Sequence, residues 1–288
     1  MASIENHFLS LYLLRLFVRM ILDINGSQLY YSKQGDGNKA LLLFHGFGQD
    51  HSAFQDIIER ISSEYTCYTF DLFFHGSSLW NKGEQPLEKS EWNRIMELFL
   101  RESNLNEISL MGYSLGGKFV FATMEGFPEK VKEVFLIAPD GIKISFWYSL
   151  ATYPILFRKI FKSLIAHPKR FISIANFSNL IGLLDKGVVR FAESQMNTWE
   201  RRSRVYFSWV VFRHLNFDMR DIAAIINRHK SWLIIIVGKY DRVVKAKHMD
   251  RLLRHVDQYQ MEILETGHNR LLGEETANLI INSPKSAL

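Results

Sequence analysis

The chain has 288 residues, of which 47% are hydrophobic and 23% are charged. This length and balance are typical of a soluble globular protein with one large domain carrying an insertion, or with two small domains. Its single cysteine, Cys67, excludes an intramolecular disulfide framework, and no Cys/His cluster has metal-ligand spacing. We therefore expect a cytoplasmic protein without a metal, with Cys67 buried in an apolar strand.

The first 19 residues resist a simple assignment. The run 7–20 is apolar, but Arg15 and Arg19 interrupt it, Glu5 precedes it and no signal-peptidase site follows. It is also too short and too charged to span a bilayer. Two interpretations remain open. One is an amphipathic helix that lies on a membrane or on the body of the protein, and the other is an extension ahead of a natural start at Met20.

Strand and helix patterns alternate from Met20 onward. A hairpin is predicted over 21–24 and 28–33, around the turn dipeptide Asn25-Gly26. Further strands are predicted at 40–44, 65–71, 107–111, 131–138, 231–237 and 260–264, and helices at 53–61, 92–100, 247–255 and 276–281. Alternation of this kind predicts βαβ units and a mainly parallel sheet flanked by helices, an α/β fold.

The alternation lapses between 141 and 229, where aromatic residues recur at helical spacing without a convincing strand. We predict an N-terminal extension at 1–19, a core formed by 20–140 and 230–288, and a helical cap at 141–229. Most cap aromatics are expected in packing, including Phe171, Phe177 and Phe191. Residues 141–220 also carry 13 Lys/Arg against 4 Asp/Glu. Solvated helix faces are the simplest explanation, and an anionic substrate or membrane surface is the alternative.

One stretch, Gly112-Tyr113-Ser114-Leu115-Gly116, leaves no room for an ordinary loop between a strand and a helix. The spacing predicts a very sharp turn that exposes the Ser114 hydroxyl above the sheet edge. An incidental Ser in a Gly-rich turn is the alternative until other parts of a site are found.

A Ser hydroxyl needs a base, and an imidazole serves best when a carboxylate fixes its tautomer. Asp241 and His268 follow the last two predicted strands, so both can meet Ser114 at one sheet edge. Asp140 also follows a strand and is a second candidate for the acid.

Negative charge on an attacked carbonyl oxygen needs backbone donors. We predict the N–H groups of Leu115, just after the nucleophile, and of Phe47, in the Gly-bearing turn after a buried strand. His45 is expected to support this loop through hydrogen bonds rather than to transfer protons.

At this point the chain resembles the α/β-hydrolase superfamily. The resemblance rests on five stretches in the family's order, spread over about 20–281: His45-Gly46-Phe47-Gly48, Asp71-Leu72-Phe73-Phe74-His75-Gly76-Ser77-Ser78, Gly112-Tyr113-Ser114-Leu115-Gly116-Gly117, Gly238-Lys239-Tyr240-Asp241 and Gly267-His268. It implies a structural turn around Asp71 and His75. Phe73-Phe74 replaces a smaller pair, which predicts a bulkier pocket rim.

The resemblance implies a serine hydrolase acting on a carboxylic ester or thioester, with Ser114, Asp241 and His268 as catalytic residues. A small-molecule acyl substrate is expected, without cofactor or nucleic acid. The same motif followed by Lys118 also resembles the menaquinone-pathway synthase that eliminates pyruvate, so a lyase is the alternative. A third hypothesis is a lipid esterase held at a membrane by the N-terminal segment or the basic cap. The oligomeric state is not predicted.

Overall fold

A computed structural model describes residues 20–143, 146–170, 172–173 and 197–283. The predictions for 1–19 and for Phe171, Phe177 and Phe191 lie outside the described residues. Within the described ranges, no helix combines the length and the apolar character needed to cross a bilayer.

Eight strands form one sheet in the order β1-β2-β4-β3-β5-β6-β7-β8. They are β1 (Met20–Ile24), β2 (Ser27–Gln34), β3 (Lys39–Phe44), β4 (Tyr65–Phe70), β5 (Ile108–Tyr113), β6 (Val131–Ile137), β7 (Trp232–Gly238) and β8 (Tyr259–Leu264). β1 and β2 pair antiparallel to their neighbours, and all other pairings are parallel. The predicted α/β class with a mainly parallel sheet is confirmed.

Nine α-helices lie in the described residues: α1 (Gln55–Ile61), α2 (Lys89–Glu102), α3 (Gly116–Gly126), α4 (Phe146–Thr152), α5 (Ile155–Ala166), α6 (Trp199–Val211), α7 (Met219–His229), α8 (Asp250–Leu253) and α9 (Glu274–Ile281). Short 3₁₀ turns occur as well, at His51–Phe54, Pro128–Lys130, Phe212–His214, Ala246–His248 and His268–Arg270. The helical stretch predicted near 247–255 is present as the 3₁₀ turn Ala246–His248 and the four residues of α8.

The central strands are buried on both faces, as a parallel sheet covered by helices requires. Leu41, Leu42, Leu43 and Phe44 of β3 are completely buried. Because parallel strands point the same way, the C-terminal ends of β3, β5, β7 and β8 lie at one edge of the sheet. The loops that follow these strands carry the predicted site residues.

The described residues form two compact units. The larger comprises the described parts of 1–81, 89–143 and 215–288, and the smaller comprises those of 82–88 and 144–214. Helix α7 belongs to the larger unit, where it packs against α3 and α8. The cap predicted at 141–229 therefore includes residues that group with the larger unit, and its role as a cap stays a prediction.

A buried carboxylate joins four strands at the N-terminal edge of the parallel sheet. Glu133 of β6 accepts hydrogen bonds from Lys39 Nζ at 2.7 Å, Tyr65 OH at 2.9 Å and Ser109 Oγ at 2.7 Å. Burial and the adjacent Glu133 carboxylate raise the pKa of Tyr65, so its phenol stays a neutral donor. Each partner begins or nearly begins a strand, which places this cluster at the edge opposite Ser114.

Candidate active site

Ser114 lies on the sharp turn between β5 and α3. Its φ is +49°, in the left-handed region that residues with a side chain seldom adopt. The turn is held because the Ser114 N–H donates to Ile137 O at 2.9 Å and the Ser114 carbonyl accepts from the Asp140 N–H at 2.7 Å. A Cβ on Gly116 would lie 1.8 Å from the carbonyl oxygen of Phe44, so glycine is required there. Strain of this kind is often stored at functional sites.

Asp241 and His268 approach Ser114 from neighbouring strands. Asp241 lies in the loop after β7, and His268 begins the 3₁₀ turn that follows β8. His268 Nδ1 is 2.6 Å from Asp241 Oδ2, and His268 Nε2 is 3.1 Å from Ser114 Oγ. An ionised carboxylate only accepts hydrogen bonds, so Nδ1 carries the proton and Nε2 accepts from the hydroxyl. The fold thus brings the three predicted side chains into one chain of hydrogen bonds.

The carboxylate of Asp241 is fixed from the other side as well. It is buried, and its Oδ1 accepts from the backbone N–H of Val243 at 2.7 Å and of Val244 at 2.8 Å. These donors hold the plane of the carboxylate, with Oδ2 turned towards the imidazole. Asp241 can therefore orient the imidazole while remaining an acceptor.

Asp140, the second candidate for the acid, makes different contacts. Its Oδ1 accepts from the backbone N–H of Gly141 at 2.7 Å, and its Oδ2 lies 3.8 Å from Nζ of Lys118, which is buried. The His268 nitrogen that needs a carboxylate is bonded to Asp241 instead. The geometry favours Asp241 over Asp140.

Tyr113 is a site residue that the sequence reasoning missed. Its hydroxyl donates to the carbonyl oxygen of His268 at 2.9 Å, and the two rings lie 5.2 Å apart between centroids. Burial raises the pKa of Tyr113, so the phenol stays protonated and remains a donor. The Gly-x-Ser-x-Gly stretch places Tyr113 next to Ser114 in the sequence. No local pattern, however, indicates a hydrogen-bond partner that lies 155 residues away.

Two backbone N–H groups were predicted to hold a developing oxyanion. Leu115 follows Ser114 at the start of α3, and Phe47 lies in the turn after β3. Within the described part of the chain, neither N–H donates to another protein group. Both N–H groups thus lie at the sheet edge that carries Ser114, and each can donate a hydrogen bond to a bound group.

The loop that carries Phe47 is supported by His45. His45 is completely buried, Nδ1 donates to Gly46 O at 2.7 Å and Nε2 accepts from the Leu72 N–H at 3.0 Å. Desolvation lowers the pKa of His45 from 6.5 to about 4, although the bond to Gly46 opposes the shift. Both nitrogens are engaged by backbone groups, as expected of a residue that supports the loop.

Asp71 joins this loop to the turn after β4. Its Oδ1 accepts from the His51 N–H at 2.7 Å and faces His51 Nδ1 at 2.9 Å, and its Oδ2 accepts from the Ser77 N–H at 2.8 Å. These hydrogen bonds lower the pKa of Asp71 against the opposing effect of burial. A Cβ on Gly76 would lie 1.9 Å from Asp71 Oδ2, which explains the glycine. These contacts match the structural turn that the family resemblance implies.

The prediction of a bulky rim from Phe73-Phe74 is wrong for Phe73. Phe73 is 1% exposed, and its ring packs 5.0 Å from that of Trp80. Only Phe74 remains partly exposed, with a φ of +69°. The pair therefore adds at most one aromatic side chain to an accessible surface.

Cys67 is buried in β4, as predicted, and burial raises the pKa of its thiol to about 12. It is a core residue rather than a reactive thiol.

Among the described residues, no group of three or more His, Cys, Asp or Glu side chains could hold a metal ion.

Comparison with known proteins defines the class. The model of the alpha/beta hydrolase fold family matches residues 39–274. The chain therefore belongs to the α/β-hydrolase family. A thermophilic esterase from Thermogutta terrifontis superposes with a TM-score of 0.66 at 18% identity, over 91% of this chain and 96% of that one.

Two curated relatives also match at low identity, one of them over a short segment. Pimeloyl-[acyl-carrier protein] methyl ester esterase of Aliivibrio salmonicida is 27% identical over 112 residues, which cover 39% of this chain and 40% of that protein. Lipase 1 of Psychrobacter immobilis is 22% identical over 263 residues, 85% of this chain and 76% of that enzyme. The chain spans less than half the length of the curated relatives that it matches over short segments. The names of these two relatives are those of an esterase and a lipase.

Proposed function

We propose that this protein is a serine hydrolase that cleaves a carboxylic ester or thioester. One observation carries the proposal: the hydrogen-bonded chain from Asp241 through His268 to Ser114, at the strand ends of an α/β-hydrolase sheet. The general chemistry of such a chain is nucleophilic acyl transfer.

In the first half of the reaction, Ser114 Oγ attacks the acyl carbon while its proton passes to His268 Nε2. Asp241 stabilises the imidazolium that forms and keeps the ring in place. The former carbonyl oxygen becomes an oxyanion, which accepts from the N–H groups of Phe47 and Leu115. Collapse of this intermediate breaks the bond to the alcohol or thiol, which leaves with the proton from His268.

In the second half, water attacks the acyl carbon of the Ser114 ester. His268 takes a proton from this water and then returns it to Ser114 Oγ as the acyl–enzyme bond breaks. The products are a carboxylic acid and the free enzyme, so that no cofactor is consumed.

The activities for which the relatives are named suit this chemistry. They include a methyl ester esterase, a lipase and a structurally similar esterase. A carboxylesterase activity for this chain is our proposal. A reducing, cytoplasmic location is proposed with it, since the single cysteine is a buried core residue.

Turnover of a chain-length series of aryl esters tests the proposal. Asp241→Asn should lower kcat by about 10⁴-fold, because the amide favours the wrong tautomer of His268. Asp140→Asn is the matched control, since it makes the same chemical change at the competing carboxylate, and it should leave kcat within about threefold. Loss of activity in Asp140→Asn with retention in Asp241→Asn would reverse the assignment of the acid. Absence of ester and thioester turnover by the wild-type protein would reject the hydrolase itself.

The lyase alternative gains no separate support from the described residues. Lys118, the basic residue in the resemblance to the pyruvate-eliminating synthase, is buried with its ammonium 3.8 Å from Asp140. Incubation with the substrate of that synthase decides the point. Pyruvate release without ester turnover would favour the lyase over the esterase.

A further inference from the structure

Helix α5 exposes a row of large apolar side chains. Leu156 is 66% exposed and Ile160 is 46% exposed, and half-buried Leu164 continues the same i, i+4 row. Phe157, on the adjacent row, is 41% exposed. We call Leu156, Phe157 and Ile160 the apolar row of α5.

Among the residues that the structure describes, the apolar row is not the face by which α5 packs in its own unit. That packing uses Phe161 and Ile165, which are buried. The Phe161 ring lies 5.4 Å from the Tyr206 ring and 5.5 Å from the Trp209 ring, both on α6. An ordinary surface helix carries polar side chains outside its packed stripe, so the apolar arc of α5 is wider than its packing needs.

Positive charge accompanies the apolar row. Residues 146–170 contain no Asp or Glu and five basic residues, namely Arg158, Lys159, Lys162, Lys169 and Arg170. The described parts of the smaller unit contain three acids: Glu84 pairs with Lys162, Glu88 with His214 and Glu200 with Arg204. The other four basic residues of 146–170 are left in excess over the acids. The region around α5 is therefore electropositive as well as apolar.

We propose that the apolar row of α5 docks on an anionic lipid bilayer. The apolar side chains would enter the boundary between headgroups and acyl chains, and Lys159 with its basic neighbours would face the lipid phosphates. Charge selects this occupant over a second copy of the chain, because two electropositive surfaces repel each other. Docking does not depend on the proposed hydrolase activity, so Ser114→Ala should bind vesicles as the wild type does.

Co-sedimentation of the full-length protein with vesicles tests the proposal. We expect binding to phosphatidylcholine vesicles that contain phosphatidylglycerol, and weaker binding at high ionic strength because salt screens the attraction. The double change Leu156→Ser and Ile160→Ser should lower the partition coefficient by about tenfold or more. Lys159→Gln should lower it by about fivefold, the effect of one basic residue near an anionic surface.

Ile21 and Ile263 supply a matched control, since they are exposed to a similar degree, 54% and 52%, on strands of the larger unit. The double change Ile21→Ser and Ile263→Ser should leave vesicle binding unchanged. The proposal is overturned if the wild type binds no vesicles, if it binds neutral vesicles equally well, or if both double variants bind like the wild type. It is also overturned if the Leu156/Ile160 double variant only abolishes a dimer in sedimentation velocity without vesicles.

Discussion

Tyr113 directly precedes Ser114 and contacts His268, the base in the proposed mechanism. Its hydroxyl donates to the carbonyl oxygen of His268 across 155 positions of sequence. A fixed main chain at His268 keeps Nε2 at 3.1 Å from Ser114 Oγ. We therefore propose that Tyr113 is a positioning residue, acting through the loop that carries His268 rather than on the substrate.

We predict that Tyr113→Phe lowers kcat for aryl esters by about tenfold, with KM little changed. The reason is loss of one hydrogen bond worth about 1 kcal/mol, with His268 then less well placed. Steady-state kinetics measure both constants. Tyr240→Phe is the control, because the Tyr240 hydroxyl bonds only to exposed Glu265 in the described structure, and it should change neither constant. An unaltered kcat in Tyr113→Phe would show that the bond to His268 has no positioning role.

His45 links the site to the pH dependence of stability. Its pKa is about 4 in the fold and 6.5 in the ordinary case, so between these values the unfolded chain binds more protons than the native protein. The free energy of unfolding should therefore fall as the pH drops through this window, by about 3 kcal/mol from this residue. Above the upper value both states are neutral at His45, and its contribution is constant.

We expect His45→Gln to lose this contribution while keeping an acceptor for the Leu72 N–H. Urea unfolding of wild type and variant at about pH 7 and about pH 4.5 measures this contribution. The other titrating groups contribute equally in both proteins, so they cancel when the two losses of stability are subtracted. Wild type should lose more stability on acidification than the variant. Equal losses would mean that His45 is not the residue that couples this loop to pH.

At the scale of elements, the Glu133 cluster ties together β3, β4, β5 and β6. Three donors bind the two oxygens of one buried carboxylate. An amide in place of the carboxylate would turn an NH₂ group towards at least one of these donors. We predict that Glu133→Gln lowers the free energy of unfolding by about 2 kcal/mol. Chemical denaturation measures this loss, and kcat/KM per folded molecule should not change, since the cluster lies at the opposite sheet edge from Ser114.

Glu107→Gln provides the comparison for that change. Glu107 pairs with Lys132 at 3.1 Å, but its side chain is 65% exposed, so its loss should cost less than about 0.5 kcal/mol. Equal stability losses in the two variants would contradict the importance given to burial of Glu133.

At the scale of the whole molecule, the sequence indicated which side chains meet more readily than how the chain divides into compact units. Ser114, Asp241 and His268 were predictable because each follows a strand whose direction is set by the parallel sheet. The boundary of the cap was harder, since the amphipathic pattern of α7 shows that one face is buried but not which unit it packs against. That packing turned out to be against α3, in the larger unit.

Contacts between distant side chains were also beyond the sequence. Nothing in the pattern around Glu133 marks it as the partner of Lys39, Tyr65 and Ser109, because these lie on different strands and meet only through register. The prediction that Phe73 lies at a pocket rim was wrong for a similar reason. Its neighbour Trp80 buries it, and a local motif contains no information about such packing.

Covalent labelling with a serine-directed phosphonate tests whether Ser114 is the nucleophile. We expect one equivalent of phosphonate per chain, located on Ser114 by peptide mass spectrometry, and none in Ser114→Ala. His268→Ala should slow labelling by at least about 10²-fold, because Ser114 then lacks its base. Failure of the wild type to react, or labelling that persists in Ser114→Ala, would contradict the assignment of Ser114 as the nucleophile.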